Sequence, residues 1–142
     1  MSLNETQEQI IEEFSAFSDW IDRYAYLIEL GTALKPLAPA FKTNDYLING
    51  CQSKVWLNAE YADGTILYSA DSDALIVKGI VALLVRVLSG QKASEIMNAD
   101  LYFIDKIGLK ENLSPTRSNG LVAMVKKMKL YALAYHTKHN SG

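Results

Sequence analysis

The chain has 142 residues, of which 49% are hydrophobic and 21% charged, with a formal net charge of −2. That balance suits a single folded domain long enough to bury a core and excludes a disordered polymer. The charge and a sequence pI near 5.6 leave no basic footprint for nucleic acid. The longest apolar run, Ala74 to Leu88, is too short to span a membrane and is interrupted by Lys78 and Arg86. The single cysteine, Cys51, excludes an internal disulfide, and no signal peptide precedes the first helical segment; both lead to an expected cytoplasmic location. Met1-Ser2-Leu3 is given no weight.

In chain order, Ile10, Phe14, Phe17, Ile21, Tyr24 and Ile28 recur in steps of three and four and predict one helical face. Ser18-Asp19 offers a cap inside that stretch, so the face belongs to one helix or to two in succession, stopped at Gly31. Thr32 to Asn44 holds Pro36 and Pro39 and reads as an irregular connection.

Three short antiparallel strands are expected next. Tyr46-Leu47-Ile48 is the first, ending at Asn49-Gly50. The second places Val55, Leu57, Ala59 and Tyr61 on one face and Trp56, Asn58 and Glu60 on the other. Asp63-Gly64 suits a tight hairpin because both positions tolerate positive φ, and Ile66 to Ser69 is the return strand.

Asp71-Ser72-Asp73 offers N-cap oxygens to an apolar helix over Ala74–Leu88, ended by Ser89-Gly90. Short helices are expected at Ser94–Met97 and Asp100–Ile107, the latter closed by Gly108. Ser114-Pro115 marks a helix start, with serine at the N-cap and proline where its missing N–H costs nothing. Leu121, Val125, Met128, Ala132 and Tyr135 continue that helix to the tail. Helices, a small antiparallel sheet and more helices make an α+β domain spanning 1–142, with its core in about 10–135.

Cys51 is the leading candidate for chemistry. It follows Gly50 and precedes Gln52, Ser53 and Lys54, a turn rather than the apolar interior where an inert thiol packs. As residue type alone, a buried inert cysteine is the commoner outcome; the turn argues for a presented nucleophile, which acts as thiolate beside a cation or donor. Lys54 is the nearest cation in sequence. Arg117 is the second anomaly, because the first turn of a helix disfavours a cation. Asn119-Gly120 follows it, and a mid-helix glycine costs about 1 kcal/mol. Either Gly120 admits another backbone while Arg117 meets an anion, or the turn is frayed and Arg117 makes a surface ion pair; local sequence leans to the second. His136 and His139 read as solvated tail residues, not zinc ligands. No phosphate loop, CxxC or HExxH occurs.

Gly50-Cys51-Gln52-Ser53-Lys54-Val55-Trp56 resembles the cysteine motif of the SufE family, the sulfur acceptors of iron–sulfur cluster assembly. Asp71 to Gly79, Asp100 to Leu109 and Leu113 to Leu121 agree with that family in order and spacing, as does Ile28-Glu29-Leu30-Gly31. The resemblance runs from about Ile10 to Tyr135. It implies a small three-stranded sheet against helices, the fold shared with IscU-type scaffolds. It also implies a cysteine turn near the start of the last helix.

By the same resemblance, Cys51 accepts sulfur from the persulfide of a pyridoxal-phosphate cysteine desulfurase of SufS type. The persulfide passes to a SufBCD-type scaffold, and the desulfurase is stimulated. The pyridoxal phosphate belongs to the partner; this chain is expected to bind no cofactor or metal and to act without turnover of its own. Arg117 then gains weight as a contact steadying the thiolate or the partner. Asp71 is a weaker candidate, either tying the cysteine loop to the sheet or capping the following helix. A CsdE-type acceptor serving a different desulfurase is the alternative. An IscU-like scaffold is less well matched by one thiol, and a cysteine hydrolase would need a base beside it. A homodimer is left open.

Overall fold

The computed structural model describes residues 1–140. The first predicted face divides between two helices, α1 (Leu3–Ser15) and α2 (Trp20–Thr32). Asp19 caps α2 by accepting the Asp22 N–H at 2.9 Å. The corner between them breaks the periodicity. Ile10 and Phe14 are fully buried, whereas Ile21 is 80% exposed and Leu27 takes over the inward position on α2. The opening residues matter more than their sequence suggests. Ser2 and Glu5 form a reciprocal capping box at the start of α1, and Leu3 is buried, so the core begins well before residue 10.

The sheet runs in the order β1 (Val55–Ala62), β2 (Thr65–Ser72), β3 (Gln91–Lys92), all antiparallel. Asp63 and Gly64 take φ of 51° and 83°, the left-handed pair that a two-residue hairpin requires. The expected strand at Tyr46–Ile48 is not formed. Asn44–Tyr46 is a 3-10 turn, and only Leu47 makes an isolated bridge, to Trp56. Gly50 turns at φ 93° just beyond, so the ladder has no room to lengthen. The third strand is instead Gln91–Lys92, delivered beside Thr65–Ile66 by the Gly90 N–H, which donates to the Ile66 carbonyl at 2.7 Å.

The central helix, α3 (Leu75–Leu88), packs against the sheet and against α1, α2 and the last helix. Val77, Ile80, Val81, Leu83, Leu84, Val87 and Leu88 are all buried. Each such side chain contributes about 1.5–3 kcal/mol of burial, so α3 anchors the core. Its crossing with α2 depends on Gly79, where a Cβ would lie 2.1 Å from the Leu27 carbonyl oxygen. No side chain fits there. Asp71-Ser72-Asp73 does not cap α3 in the expected way. Asp71 and Ser72 end β2, and Ala74 stands at the N-cap without a side-chain hydrogen bond to the helix.

Two short helices, α4 (Ala93–Met97) and α5 (Phe103–Lys106), lead to α6 (Pro115–Asn140). Fully buried Gln7 joins α1 to this region, accepting from the Phe103 N–H and donating to the Asp100 carbonyl, both at 3.1 Å. At the start of α6, Ser114 Oγ accepts the Arg117 N–H at 3.3 Å, as Ser114-Pro115 predicts. Tyr68 donates to the Met128 carbonyl at 2.5 Å and Tyr135 to the Ala59 carbonyl at 2.9 Å, so the sheet hydroxyl and the helix hydroxyl lock α6 along the sheet. His139 is exposed but not simply solvated. Its ring stacks on Tyr61 with centroids 3.8 Å apart and planes 5° from parallel. Among the described residues no helix is long and apolar enough to cross a membrane.

Candidate functional site

Cys51 lies on the loop between the Leu47 bridge and β1. Both ends of that loop are fixed. At the near end the Ile48 N–H donates to the Val55 carbonyl at 2.9 Å. At the far end Lys54 is gripped from the end of β2: its N–H donates to Asp73 Oδ1 at 3.0 Å, and its carbonyl accepts Ser72 Oγ at 2.8 Å and the Asp73 N–H at 3.2 Å. Between these points, residues 49–53 make no backbone–backbone hydrogen bond among the described residues. The loop is a flap held at both ends, with a thiol near its middle.

The thiol points at α6. Cys51 Sγ donates to the Gly120 carbonyl at 3.6 Å and is half-buried there. An ideal Cβ on Gly120 would sit 3.5 Å from Sγ and 3.8 Å from the Cys51 Cα. A Cβ on Gly50 would sit 3.4 Å from that of Ala123. The cysteine loop thus packs against α6 at Gly120, one half of the first reading open in the sequence; the other half, an anion for Arg117, is not seen among the described residues. Burial pushes the Cys51 thiol above its ordinary range. An acceptor carbonyl beside Sγ also favours the protonated form, so the resting group is a sheltered thiol.

Neither cation proposed as its activator touches it. Lys54 is exposed, and its hydrogen bonds in the loop are those of its backbone. Arg117 is exposed in the first turn of α6, one turn before Gly120, and among the described residues no ion pair or side-chain hydrogen bond engages its guanidinium. Residues three apart share a helix face, so Arg117 flanks the place where Sγ rests.

Asp71 has a different role from either one expected of it. It is 7% exposed, with Lys42 Nζ at 2.8 Å, Lys78 Nζ at 3.3 Å and the Ser72 N–H at 2.7 Å. Burial pushes its carboxyl up, but Lys42, the Ser72 N–H and Lys78 together outweigh that and hold it below the ordinary carboxylate value. Asp71 thus clamps the Thr32–Asn44 connection and α3 to the sheet. The cysteine loop is tied by its neighbours Ser72 and Asp73. Sequence reasoning missed that division because an Asp-Ser-Asp triplet before an apolar run carries the same signal as a helix cap. Among the described residues no group of three or more His, Cys, Asp or Glu side chains is arranged to hold a metal ion.

This geometry shelters one sulfur nucleophile under a loop held at both ends. Comparison with known proteins places the chain in a family. Residues 8–132 match the SufE model, described as an Fe-S metabolism associated domain. A SufE-like protein of Rhizobium etli is 46% identical over 127 residues, 86% of each chain. One from Synechocystis is 36% identical over 134 residues, 94% of this chain and 84% of the relative. SufE-like protein 1 of Arabidopsis thaliana, named as chloroplastic/mitochondrial, is 37% identical over 92% of this chain, which spans 36% of the plant protein. The solution structure of a hypothetical protein from Thermus thermophilus shares the fold at a TM-score of 0.76 and 22% identity, covering 93% of this chain and 96% of that one. The chain belongs to the SufE family, an α+β domain associated with iron–sulfur metabolism.

Proposed function

We propose that this protein is a sulfur acceptor and carrier, taking persulfide sulfur onto Cys51 from a pyridoxal-phosphate cysteine desulfurase and delivering it for iron–sulfur cluster assembly. The observation that carries the reading is the lone thiol on a flap whose backbone is held at its two ends, with Sγ resting against Gly120. In the transfer, the Cys51 thiolate attacks the outer sulfur of the desulfurase persulfide. A new S–S bond forms on Cys51, the donor's S–S bond breaks, and the donor cysteine leaves as thiolate. No oxidant is consumed.

Thiolate is scarce in the resting state, since burial and the Gly120 carbonyl both favour the protonated group. Docking therefore has two tasks: to draw the flap away from α6 and to place positive charge near Sγ. Arg117 stands one turn from that place with its guanidinium uncommitted to an ion pair among the described residues. With no second cysteine in the chain, an internal thiol cannot discharge the persulfide as a disulfide. The family resemblance supports a SufS-type donor and a SufBCD-type recipient, with clearance of the donor persulfide stimulating the desulfurase.

Intact-mass measurement after mixing the protein with a cysteine desulfurase and L-cysteine tests the reading. One added sulfur on the native chain and none on Cys51→Ser is expected, together with faster sulfide release only from the native mixture. Equal stimulation by Cys51→Ser would overturn it.

A further inference from the structure

The last helix carries a charge asymmetry of which the cysteine site uses only Arg117. The 26 residues of α6 include Arg117, Lys126, Lys127, Lys129 and Lys138 and no Asp or Glu, in a chain whose net charge is −2. The same helix leaves Val122, Leu130 and Leu133 exposed at 53%, 47% and 45%. Val122 and Leu133 border a groove of about 630 Å³ between α6 and the α4–α5 segment, with Leu101, Ile104 and Val125 also lining it. At 100° per residue, the apolar Val122, Val125 and Leu133 fall within an arc of about 80° and form a stripe about 16 Å long, with Lys129 inside the same arc. That is the length of three helical turns.

The two walls differ in charge. Lys126 and Lys129 stand on the α6 side, and Asp100, Asp105 and Lys110 on the other, so cations face a wall that is acidic on balance. Lys129 donates to the Ala99 carbonyl at 2.6 Å and holds α6 against the turn after α4, which fixes the groove's width. Lys126 and Asp105 are exposed. We propose that this groove receives an amphipathic helix of a partner protein. Its apolar face would lie along the stripe, with carboxylates on the edge facing Lys126 and basic side chains on the edge facing Asp100 and Asp105. Anchoring an apolar helix face in a groove while flanking charges set orientation is a recurrent mode of recognition.

The acidic helix of a second copy is a poor occupant. α1 carries Glu5, Glu8, Glu12 and Glu13, but its apolar residues Ile10 and Phe14 are already fully buried in its own core. The groove also lies away from the thiol. Gly120 and Ala123 face the cysteine loop, while Val122 lies about 200° round the helix from Gly120. A helix seated in the groove leaves Cys51 uncovered, so a partner can hold the protein while sulfur moves.

The probe is a synthetic peptide of about four helical turns. It has leucines on one face, glutamates along one edge and lysines along the other, and is titrated into the isotopically labelled full chain by NMR. Saturable shifts confined to groove residues such as Leu101, Ile104, Val125 and Leu133 are expected, and they persist in Cys51→Ser, which separates this site from the sulfur-accepting one. A peptide with lysines on both edges should bind about tenfold more weakly. Lys126→Glu should invert that order, and Leu133→Asp should abolish binding; both positions are exposed, and an otherwise unchanged spectrum verifies their fold. Absence of shifts at about 1 mM peptide, equal binding of the two peptides, or shifts elsewhere would refute the proposal. So would concentration-dependent groove shifts in the protein alone, which would assign the groove to a second copy.

Discussion

Cys51 Sγ rests 3.6 Å from the carbonyl oxygen of Gly120, a residue 69 positions away on the second turn of α6. The contact joins the flap to the helix at a position without a side chain. It accounts for the half-buried thiol and its raised pKa.

Two substitutions at Gly120 should therefore act in opposite ways. Alanine places its Cβ 3.5 Å from Sγ, an ordinary contact, and removes a helical glycine worth about 1 kcal/mol. Gly120→Ala is expected to melt at higher temperature with the thiol still sheltered. Leucine needs the volume Sγ occupies, so Gly120→Leu should expel the flap and alkylate severalfold faster with iodoacetamide. Equal rates for Gly120→Leu and the native chain would mean that Gly120 does not set the shelter.

The shelter also has a pH signature. The Cys51 pKa is raised in the folded state, so above the ordinary thiol value of 9.0 the unfolded chain loses its proton first. Stability contributed by the neutral thiol is complete below that pH and declines as pH rises toward the folded value. Denaturant titrations of the native chain and Cys51→Ser should show a constant difference near neutrality. Above pH 9.0 the native chain should lose relative stability.

Arg117→Ala should separate function from folding. The side chain is exposed and makes no ion pair among the described residues, so stability should change by less than about 0.5 kcal/mol. Under the proposed sulfur transfer, acceptance from a desulfurase should nevertheless slow, with Arg117→Lys recovering part of it. Unchanged acceptance in intact-mass time courses would remove Arg117 from the site.

Asp71→Asn should destabilise by about 1–2 kcal/mol, because Lys42 and Lys78 lose their shared carboxylate while both can still reach water. The Asp71 pKa is lowered on folding, so its stabilisation is present above the ordinary value of 3.8 and fades as pH falls through the folded value. Urea titrations should show the native and Asp71→Asn stabilities converging in strong acid.

Gly79→Ala should be the most damaging small change. Its Cβ would meet the Leu27 carbonyl oxygen at 2.1 Å, and both partners are backbone in packed helices. A loss of about 3 kcal/mol or more follows, since α2 must move off α3. Circular-dichroism melts against Val85→Ala, a half-buried site on the same helix, provide the comparison.

Local chemistry in the sequence specified the hairpin at Asp63-Gly64, the start of α6 at Ser114-Pro115 and the ends of the helices at Gly90 and Gly108. Each depends on φ preferences or hydrogen bonds within a few residues. The scarcity of polar positions marked Ala74–Leu88 as an apolar helix. Cys51 and Gly120 were both visible as anomalies, and the motif around the cysteine carried the family. Their contact was decided by how α6 lies along the sheet, which Tyr68 and Tyr135 fix from opposite sides. The true third strand, the two-lysine clamp on Asp71, the grip of Asp73 on Lys54 and the stacking of His139 on Tyr61 likewise join segments distant in the chain. Spacing along a sequence encodes which groups can meet within one element; which elements meet is set by burying all their apolar faces at once.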